Sequence, residues 1–330
     1  MIPMNGGRIY QFKALTDLWT GSVSLGEKNG QIEEKLGPER LVTTGLLGSI
    51  RWWFEVLVRG LGGYACDPSD SVGRCPDKTG DHCVVCELFG CTGWARKFRF
   101  EVLDERGRNW TSQIKQDPRS VFSFRFTPLR AINPEEWSLL DLTLRLITDY
   151  GAVGGKTVFK PTDEPNRAGK IHHKDYGLVH MTAAPKFNAL GRVDLKVHLS
   201  KWRKASHDAS AWASLQHFWY VDGRYLSRQN HATSTFNRAI GRPEPKQQSG
   251  RNDSWVAGYR PDPRINRAAE SKKVFSFKNP ARTFGFVKPG LMDFSAMKQR
   301  LTGVWGQNGW DFLTGDKILN QLFAMKEERQ

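Results

Sequence analysis

Four cysteines in the segment 64–91 have the spacing of a metal-binding cluster. Cys66, Cys75, Cys83 and Cys86 follow the pattern C-x8-C-x7-C-x2-C. Two thiolates two residues apart can hold one ion from a tight turn, and two further thiolates complete a tetrahedron. The residues between them are too polar to form a core, so a bound ion would supply their folding energy. We predict a structural Zn²⁺ site, and free thiols or a redox pair are the alternatives.

Two nearby residues are weaker candidates for holding this metal. Cys91 follows the Glu-Leu-Phe-Gly segment, which should return the chain to the main fold, and His82 is the reserve ligand. A site with four protein ligands has no open coordination position. The predicted ion therefore has a structural role and no catalytic one.

The stretch TDYGAVGGKTVFKP, residues 148–161, resembles at its centre the end of a nucleotide-binding P-loop. The spacing is wrong for that loop, because Gly151 lies one residue too close to the Gly-Lys-Thr sequence. The stretch also follows a helix-like segment, whereas a P-loop follows a buried strand. We predict instead a turn that brings its backbone close to another kind of phosphate, and a helix C-cap is the alternative. The predicted contacts are Gly154, Gly155, Lys156, Thr157 and Lys160.

Basic residues elsewhere are predicted to add phosphate contacts. Arg51 and Arg59 share a stripe of the first predicted helix with Glu55, and a solvated, self-paired stripe is equally consistent with this pattern. Lys97 and Arg99 are predicted to lie on one face at the start of a strand. A basic loop near residue 172 could close over an RNA strand or be solvated. The remaining predicted contacts are Arg96, His172, His173 and Lys174.

Three histidines near the glycine-rich turn support a rival hypothesis, which is metal-independent cleavage of RNA. Such cleavage needs a general base on the 2′-hydroxyl and an acid for the leaving oxygen. The candidates are His172, His173 and His180. We find no carboxylate cluster for two-metal chemistry and no nucleophile triad, so we predict a protein that is not an enzyme. A protein-binding adaptor is the third hypothesis.

The composition favours a folded protein with a polyanionic partner. The chain has 330 residues, of which 39% are hydrophobic, and this is enough for one large or two ordinary domains. The formal net charge of +15 is typical of proteins that bind nucleic acid. No apolar run reaches the roughly 18 residues of a membrane span, and the N-terminus lacks the order of a signal peptide. We therefore expect a cytoplasmic protein without a membrane partner.

The elements that must position these residues alternate between strands and helices. The strongest predicted helix is 43–63, in which apolar residues repeat at three- and four-residue steps. A second helix begins with Asn133 as N-cap and Glu136 as its capping partner, and Gly151 should end it in a left-handed conformation. The order β-α-β-β-α-β is that of a ferredoxin-like, or RRM-like, α+β fold. The predicted strands are 8–19, 96–104, 120–130 and 191–200.

The chain after residue 200 is more polar and basic, and we predict that it forms a second, smaller unit. Its predicted elements are a helix at 209–221, a strand at 272–277 and a terminal helix within 310–330. The predicted domains are 1–200, with the zinc-binding insertion at 64–91, and 201–330.

Three segments taken together resemble the RAMP superfamily of CRISPR effector subunits. They are GLLGSIRWWFEVLVRGLGG (45–63), CVVCELFGCTGWARKFRFEV (83–102) and GAVGGKTVFKP (151–161). In that family an arginine- and tryptophan-rich first helix precedes a Leu-Phe-Gly segment with a basic strand, and a glycine-rich turn follows the second helix. The match resembles most the first RAMP subunit of the type III-B (Cmr) complex. Thr157-Val158-Phe159 departs from the pattern, because relatives often carry an arginine pair there.

The resemblance implies a ferredoxin-like RAMP fold that binds guide RNA (crRNA) beside other RAMP subunits in a prokaryotic cytoplasm. Such a subunit is non-catalytic and is expected at the end of the complex far from the 5′ tag of the guide. There it helps to hold the guide against target RNA during antiviral defence. The resemblance covers most of residues 8–200 and is loose beyond them. A modified ferredoxin-like, second RAMP-like half is one option for the C-terminal unit.

Overall fold

The computed structural model divides the chain into two units. Unit 1 comprises Met1–Lys156, Tyr176–Gln216 and Asp316–Gln330, and unit 2 comprises Thr157–Asp175 and His217–Gly315. The residues that the structure describes are 7–28, 31–37, 40–68, 70, 72–117, 120–154, 161–188, 190–204, 210–229, 234–242, 255–259, 261, 263–265 and 269–327.

Strands and helices alternate in both units. In chain order the elements are β1 (Arg8–Ala14), β2 (Ser22–Lys28), β3 (Gln31–Gly37), α1 (Thr43–Gly60), α2 (Val84–Phe89), β4 (Phe98–Leu103), β5 (Val121–Pro128), α3 (Pro134–Tyr150), β6 (Val179–Ala183), α4 (Arg192–Ser200), β7 (Phe218–Asp222), α5 (Thr235–Ala239), β8 (Val274–Lys278), β9 (Ala281–Phe286), α6 (Phe294–Trp305), β10 (Leu313–Thr314) and α7 (Gly315–Glu327). No described helix is both long and apolar enough to cross a membrane.

Unit 1 is built on a four-stranded antiparallel sheet of order β4-β5-β1-β6. α1 lies between β1 and β4 in the chain, and α3 lies between β5 and β6. This succession of elements is the ferredoxin-like β-α-β-β-α-β order, so the predicted fold is confirmed. β2 and β3 form a separate hairpin that the sequence analysis did not predict.

Alternation along the strands gives this sheet one aromatic face that is buried. The rings of Phe12 and Phe124 lie 4.8 Å apart on neighbouring strands, and the Phe100 ring lies 5.2 Å from Phe124. Because side chains of a strand point alternately to opposite faces, the remaining positions must form the other face. The buried aromatic residues of this face are Tyr10, Phe12, Phe98, Phe100, Phe122, Phe124 and Phe126.

Gly151, at the end of α3, is required by packing and not by backbone conformation. Its φ of −121° is extended, so the predicted left-handed cap is wrong. A Cβ at this position would lie 2.6 Å from Cζ2 of Trp53 in α1. Trp53 is only 2% exposed, and its indole N–H donates to the carbonyl of Ala152 at 2.8 Å. The glycine therefore lets the end of α3 approach α1 closely.

We expect Gly151→Ala to destabilise the protein by about 1–3 kcal/mol, because a fixed indole blocks the new methyl group. Gly48→Ala is the matched control, since a Cβ at Gly48 in α1 would meet nothing within 4 Å. That control should be stabilising by about 0.5–1 kcal/mol through helix propensity. Chemical denaturation of both variants measures the difference, and equal effects would contradict the packing argument.

The segment 191–200 is a helix, so its predicted strand is wrong, and β6 is the fourth strand instead. Leu195 and Leu199 are buried one helical turn apart, and the Asp194 carboxylate accepts a hydrogen bond from the N–H of Gly191 at 3.2 Å. This contact is one half of a capping box. Alternating apolar and charged residues suggested a strand, but the cap and the buried leucine stripe select the helix.

Unit 2 repeats the same order of elements on a smaller scale. Its sheet has the order β10-β7-β9-β8, and α5 and α6 occupy the positions of the two ferredoxin-like helices. This confirms a second, smaller ferredoxin-like unit. The predicted helix at 209–221 is wrong, because a 3₁₀ turn at Leu215–His217 leads directly into β7. In β7 three consecutive residues, Phe218, Trp219 and Tyr220, are buried. A continuous apolar run of this kind also occurs in buried helices, so the sequence pattern did not distinguish the two.

Candidate metal centre and nucleic-acid interface

The four predicted cysteine ligands come together in the insertion between α1 and β4. The Sγ atoms of Cys66, Cys75, Cys83 and Cys86 all lie within 4.8 Å of one another, and all four residues are buried. Zn–S bonds of about 2.3 Å in a tetrahedron place the sulphurs about 3.8 Å apart. The Cys66 and Cys86 sulphurs are 3.4 Å apart. The donor set and its spacing therefore fit one tetrahedral metal ion.

The four thiols shift one another's pKa values in opposite directions, and the hydrogen bond with Cys66 lowers that of Cys75. Hydrogen bonding with Cys66 and the other two thiols, together with burial, raises the pKa of Cys86 well above its ordinary value. The sulphurs nevertheless accept N–H donors, since the backbone N–H of Cys83 donates to Sγ of Cys75 at 3.2 Å. Donors of this kind favour thiolates over thiols. If all four lost their protons, a metal ion would be needed to hold four thiolates at this separation.

The two weaker candidates lie outside this group. His82 Nε2 is 2.5 Å from the carboxylate of Glu87, so its ring has another partner. Cys91 is half-buried, and its thiol donates weakly to the carbonyl of Thr92 at 3.8 Å. The knuckle formed by Cys83 and Cys86 instead begins α2, in which Cys83 is the N-cap.

Arg51 and Arg59 are both committed to contacts inside unit 1. Arg51 donates to Glu55 at 3.0 Å, to the Gly90 carbonyl at 2.8 Å and to Sγ of Cys86 at 3.3 Å. Arg59 is only 5% exposed, and it donates to a backbone carbonyl 2.6 Å away. Burial raises the pKa of Glu55 to about 7, although both arginines oppose this shift. We therefore leave the two arginines out of the RNA-binding proposal below.

Lys97 is buried, and it does not share a face with Arg99 as predicted. Its Nζ lies 2.8 Å from the Glu136 carboxylate and also forms an ion pair with Glu87. The residue precedes β4, and its side chain enters the space between α2 and the start of α3. Burial alone would raise the pKa of Glu87, but Lys97 and His82 hold it below the ordinary value. Lys97 therefore forms buried ion pairs that have a structural role.

The glycine-rich turn is only partly described. Gly155, Lys156, Thr157 and Lys160 lie outside the described residues, so their predicted contacts stay predictions. Gly154 has a φ of +130°, and a Cβ there would lie 2.7 Å from the carbonyl oxygen of Trp19. Glycine is therefore needed at this point for the fold itself.

The predicted histidines divide between the two units. His172 and His173 belong to a 3₁₀ turn, Ile171–His173, of unit 2, and Lys174 after them is exposed. His180 is exposed on β6 of unit 1, where it pairs in register with Lys13 of β1.

The second face of the unit 1 sheet carries basic side chains. Lys13 of β1, Arg125 of β5 and Arg99 of β4 occupy positions that alternate with the buried aromatic residues. Exposed His180 extends this row on β6. We call these four residues the basic sheet face. Gln11, Ser123 and Thr127 lie between them as hydrogen-bonding side chains.

Much of the positive charge on the basic sheet face is available for an anion. Arg125 is paired with Glu101 at 3.0 Å, and its hydrogen bonds hold the pKa of that carboxyl below its usual range. Lys13 and Arg99, by contrast, make no side-chain hydrogen bond or ion pair with any other described residue. The same holds for exposed Arg96, just before β4.

The basic sheet face also lies near the glycine-rich turn. The N–H of Leu15, just after β1, donates to the carbonyl of Leu178 at 2.9 Å, and Val153 donates to Gly177 at 2.8 Å. The chain therefore enters the turn at the end of the sheet that holds Lys13. Among the described residues of this face only His180 carries a ring, so the face suits phosphates better than a series of stacked bases.

Lys13 and Arg125 were missed by the sequence analysis, although a signal for them exists. In RIYQFKA the buried Tyr10 and Phe12 alternate with Gln11 and Lys13. A period of two would have assigned Lys13 to the face opposite the aromatic residues. Only the pairing of strands, however, shows which cations of different strands become neighbours.

A ferredoxin-like unit with a basic sheet face and a cysteine-rich insertion defines the class of protein, and comparison with known families agrees. The model of the RAMP superfamily matches residues 11–159. The matched part of the chain contains the cysteine centre and most of the unit 1 sheet. No curated protein matches the sequence.

Several solved structures are similar to the chain at low sequence identity. Cmr1 from Pyrococcus furiosus is 11% identical, with 94% of this chain and 99% of that chain covered and a TM-score of 0.44. A chain of the type III-B Cmr-beta complex bound to cognate target RNA is 9% identical, with coverages of 91% and 99% and a TM-score of 0.44. A chain of the Csm3–Csm4 subcomplex of the type III-A complex is 12% identical, with coverages of 62% and 100% and a TM-score of 0.26.

Proposed function

We propose that this protein is a non-catalytic, guide-RNA-binding subunit of a type III-B CRISPR effector complex. Its partners are crRNA, target RNA and other RAMP subunits, and its place is the end of the complex distal to the 5′ tag. The match of residues 11–159 to the model of the RAMP superfamily supports this proposal. The observation that carries it is the basic sheet face, where Lys13 and Arg99 form no side-chain hydrogen bond or ion pair with the residues that the structure describes.

The chemistry of this face suits an RNA backbone. Lys13, Arg96 and Arg99 supply point charges and guanidinium donors to phosphates. With no Phe, Tyr or Trp among the described residues of this face, the bases of a bound strand would face away from the sheet. A guide held in this way keeps its base edges available for pairing with a target.

Zn²⁺ in the cysteine centre is the proposed structural cofactor. Cys66, Cys75, Cys83 and Cys86 would hold it, and the ion would supply the folding energy that the polar insertion lacks. α2 and the turn after it lead into β4, which carries Arg99. The metal centre therefore supports one edge of the RNA-binding face.

A fluorescence titration of the purified protein with labelled single-stranded RNA tests the proposal. If about six phosphates are contacted, the affinity should fall by roughly three decades between 50 and 200 mM salt. Absence of binding at low salt would favour the protein-binding adaptor. The labelled RNA should also stay intact, since we propose no general base, and cleavage would favour the histidine endonuclease.

A further inference from the structure

Two arginines from distant parts of the chain donate hydrogen bonds to sulphur atoms of the cysteine centre. Arg51 of α1 donates to Sγ of Cys86 at 3.3 Å. Arg203, which follows α4, donates to Sγ of Cys75 at 3.0 Å. A divalent ion with four thiolates carries two net negative charges, and a buried charge needs compensation. Two guanidinium groups on two different sulphurs supply that compensation.

Each arginine also holds a piece of backbone near the cysteines. Arg51 donates to the carbonyl of Gly90 at 2.8 Å, in the turn that leads toward β4. Arg203 forms an ion pair with Asp77 at 2.9 Å, and it lies 3.4 Å from the carbonyl of Gly73. Each side chain thus bridges a sulphur and the loop beside it.

We infer that Arg51 and Arg203 are positioning residues that neutralise a tetrathiolate metal centre and couple metal binding to α1 and to the segment after α4. Loss of the metal lets the thiolates take up protons, so both guanidinium groups lose their anionic sulphur partner and keep only the carboxylates of Glu55 and Asp77. The turn at Gly90 and the residues around Arg203 then lose a fixed anchor. The inference rests on the metal centre of the proposed function, but its test measures metal and not RNA.

The rate at which excess chelator removes Zn²⁺ from the purified full chain provides the test, read with a colorimetric zinc indicator. Arg51→Met and Arg203→Met remove the charge and keep the length of the side chain. Loss of a hydrogen bond to a ligand typically changes metal affinity by about 10–100-fold, so we expect Zn²⁺ release to be about tenfold faster in both variants.

Arg74→Met is the control. Exposed Arg74 lines the same 130 Å³ cavity as Cys66, Cys75 and Cys86, and it forms no hydrogen bond to sulphur in the described structure. Its release rate should stay within about twofold of the unaltered protein.

Substitution of Co²⁺ for the native ion gives a second readout that a general loss of stability does not imitate. Removing an N–H donor leaves its sulphur richer in electrons, so the sulphur-to-cobalt absorption band should move to lower energy in Arg51→Met and Arg203→Met. Arg203→Lys keeps a positive charge and a donor. Its absorption band should lie between that of the unaltered protein and that of Arg203→Met. Unchanged bands, with release as slow as in Arg74→Met, would overturn the inference. An unaltered protein that binds no metal would overturn it as well, while RNA binding would still be judged by its own titration.

Discussion

Replacing Lys13, Arg96 and Arg99 together by glutamine is expected to weaken the binding of single-stranded RNA about a hundredfold or more at about 50 mM salt. These cations have no hydrogen-bond or ion-pair partner in the described structure, so their loss leaves no buried group unsatisfied. Each phosphate contact contributes about 0.7 to the salt dependence of single-strand binding, so the slope of log affinity against log salt should fall by about 2. The fluorescence titration measures both quantities.

A control variant with the same change of net charge separates this effect from general electrostatics. Arg106, Lys196 and Lys201 are exposed in unit 1 and do not belong to the basic sheet face. Lys196 is on α4, which packs against α3 and hence on the helical side of the sheet. Their triple replacement by glutamine should change the affinity by less than about tenfold. Equal losses in the two variants would show that only net charge matters.

Replacing Cys83 and Cys86 by serine is expected to abolish metal binding and to lower the melting temperature by more than about 10 °C. The insertion has little apolar core of its own, so its packing against α1 depends on the ion and on contacts such as that of Arg51 with Cys86. Metal analysis by mass spectrometry should find about one zinc ion per chain in the unaltered protein. Thermal unfolding under reducing conditions measures the loss of stability.

Cys91→Ser is the matched control for that variant. Cys91 is half-buried and outside the group of four sulphurs. The metal content and melting temperature of the Cys91→Ser variant should equal those of the unaltered protein. A loss of zinc in Cys91→Ser, with zinc retained in the double variant, would assign the ligands differently.

The elements of unit 1 were predictable wherever burial repeats with a single clear period. The strand pattern of VFSFRFTP and the capping residues Asn133 and Glu136 appear in the structure as β5 and the start of α3. The segment 191–200 was not predictable, because Val193 and Val197 are apolar but 74% and 53% exposed. Apolar residues on the solvent side produce a false period of two.

The grouping of the cysteines was predictable because the two-residue spacing within the knuckle is local. The partners of the cations were not, because they come from distant parts of the chain. Lys97 meets Glu136 39 residues later, and Arg203 meets Cys75 across 128 residues. A cation paired in the fold and a cation open to RNA look identical in the sequence.

Chemical modification of lysine and arginine side chains with and without bound single-stranded RNA, read by mass spectrometry of the peptides, tests the central claim most directly. The account predicts that RNA protects Lys13 and Arg99, because their charged groups contact phosphates. Lys196 and Arg106 should react equally with and without RNA. Protection confined to other surfaces, with Lys13 and Arg99 equally reactive in both states, would contradict it.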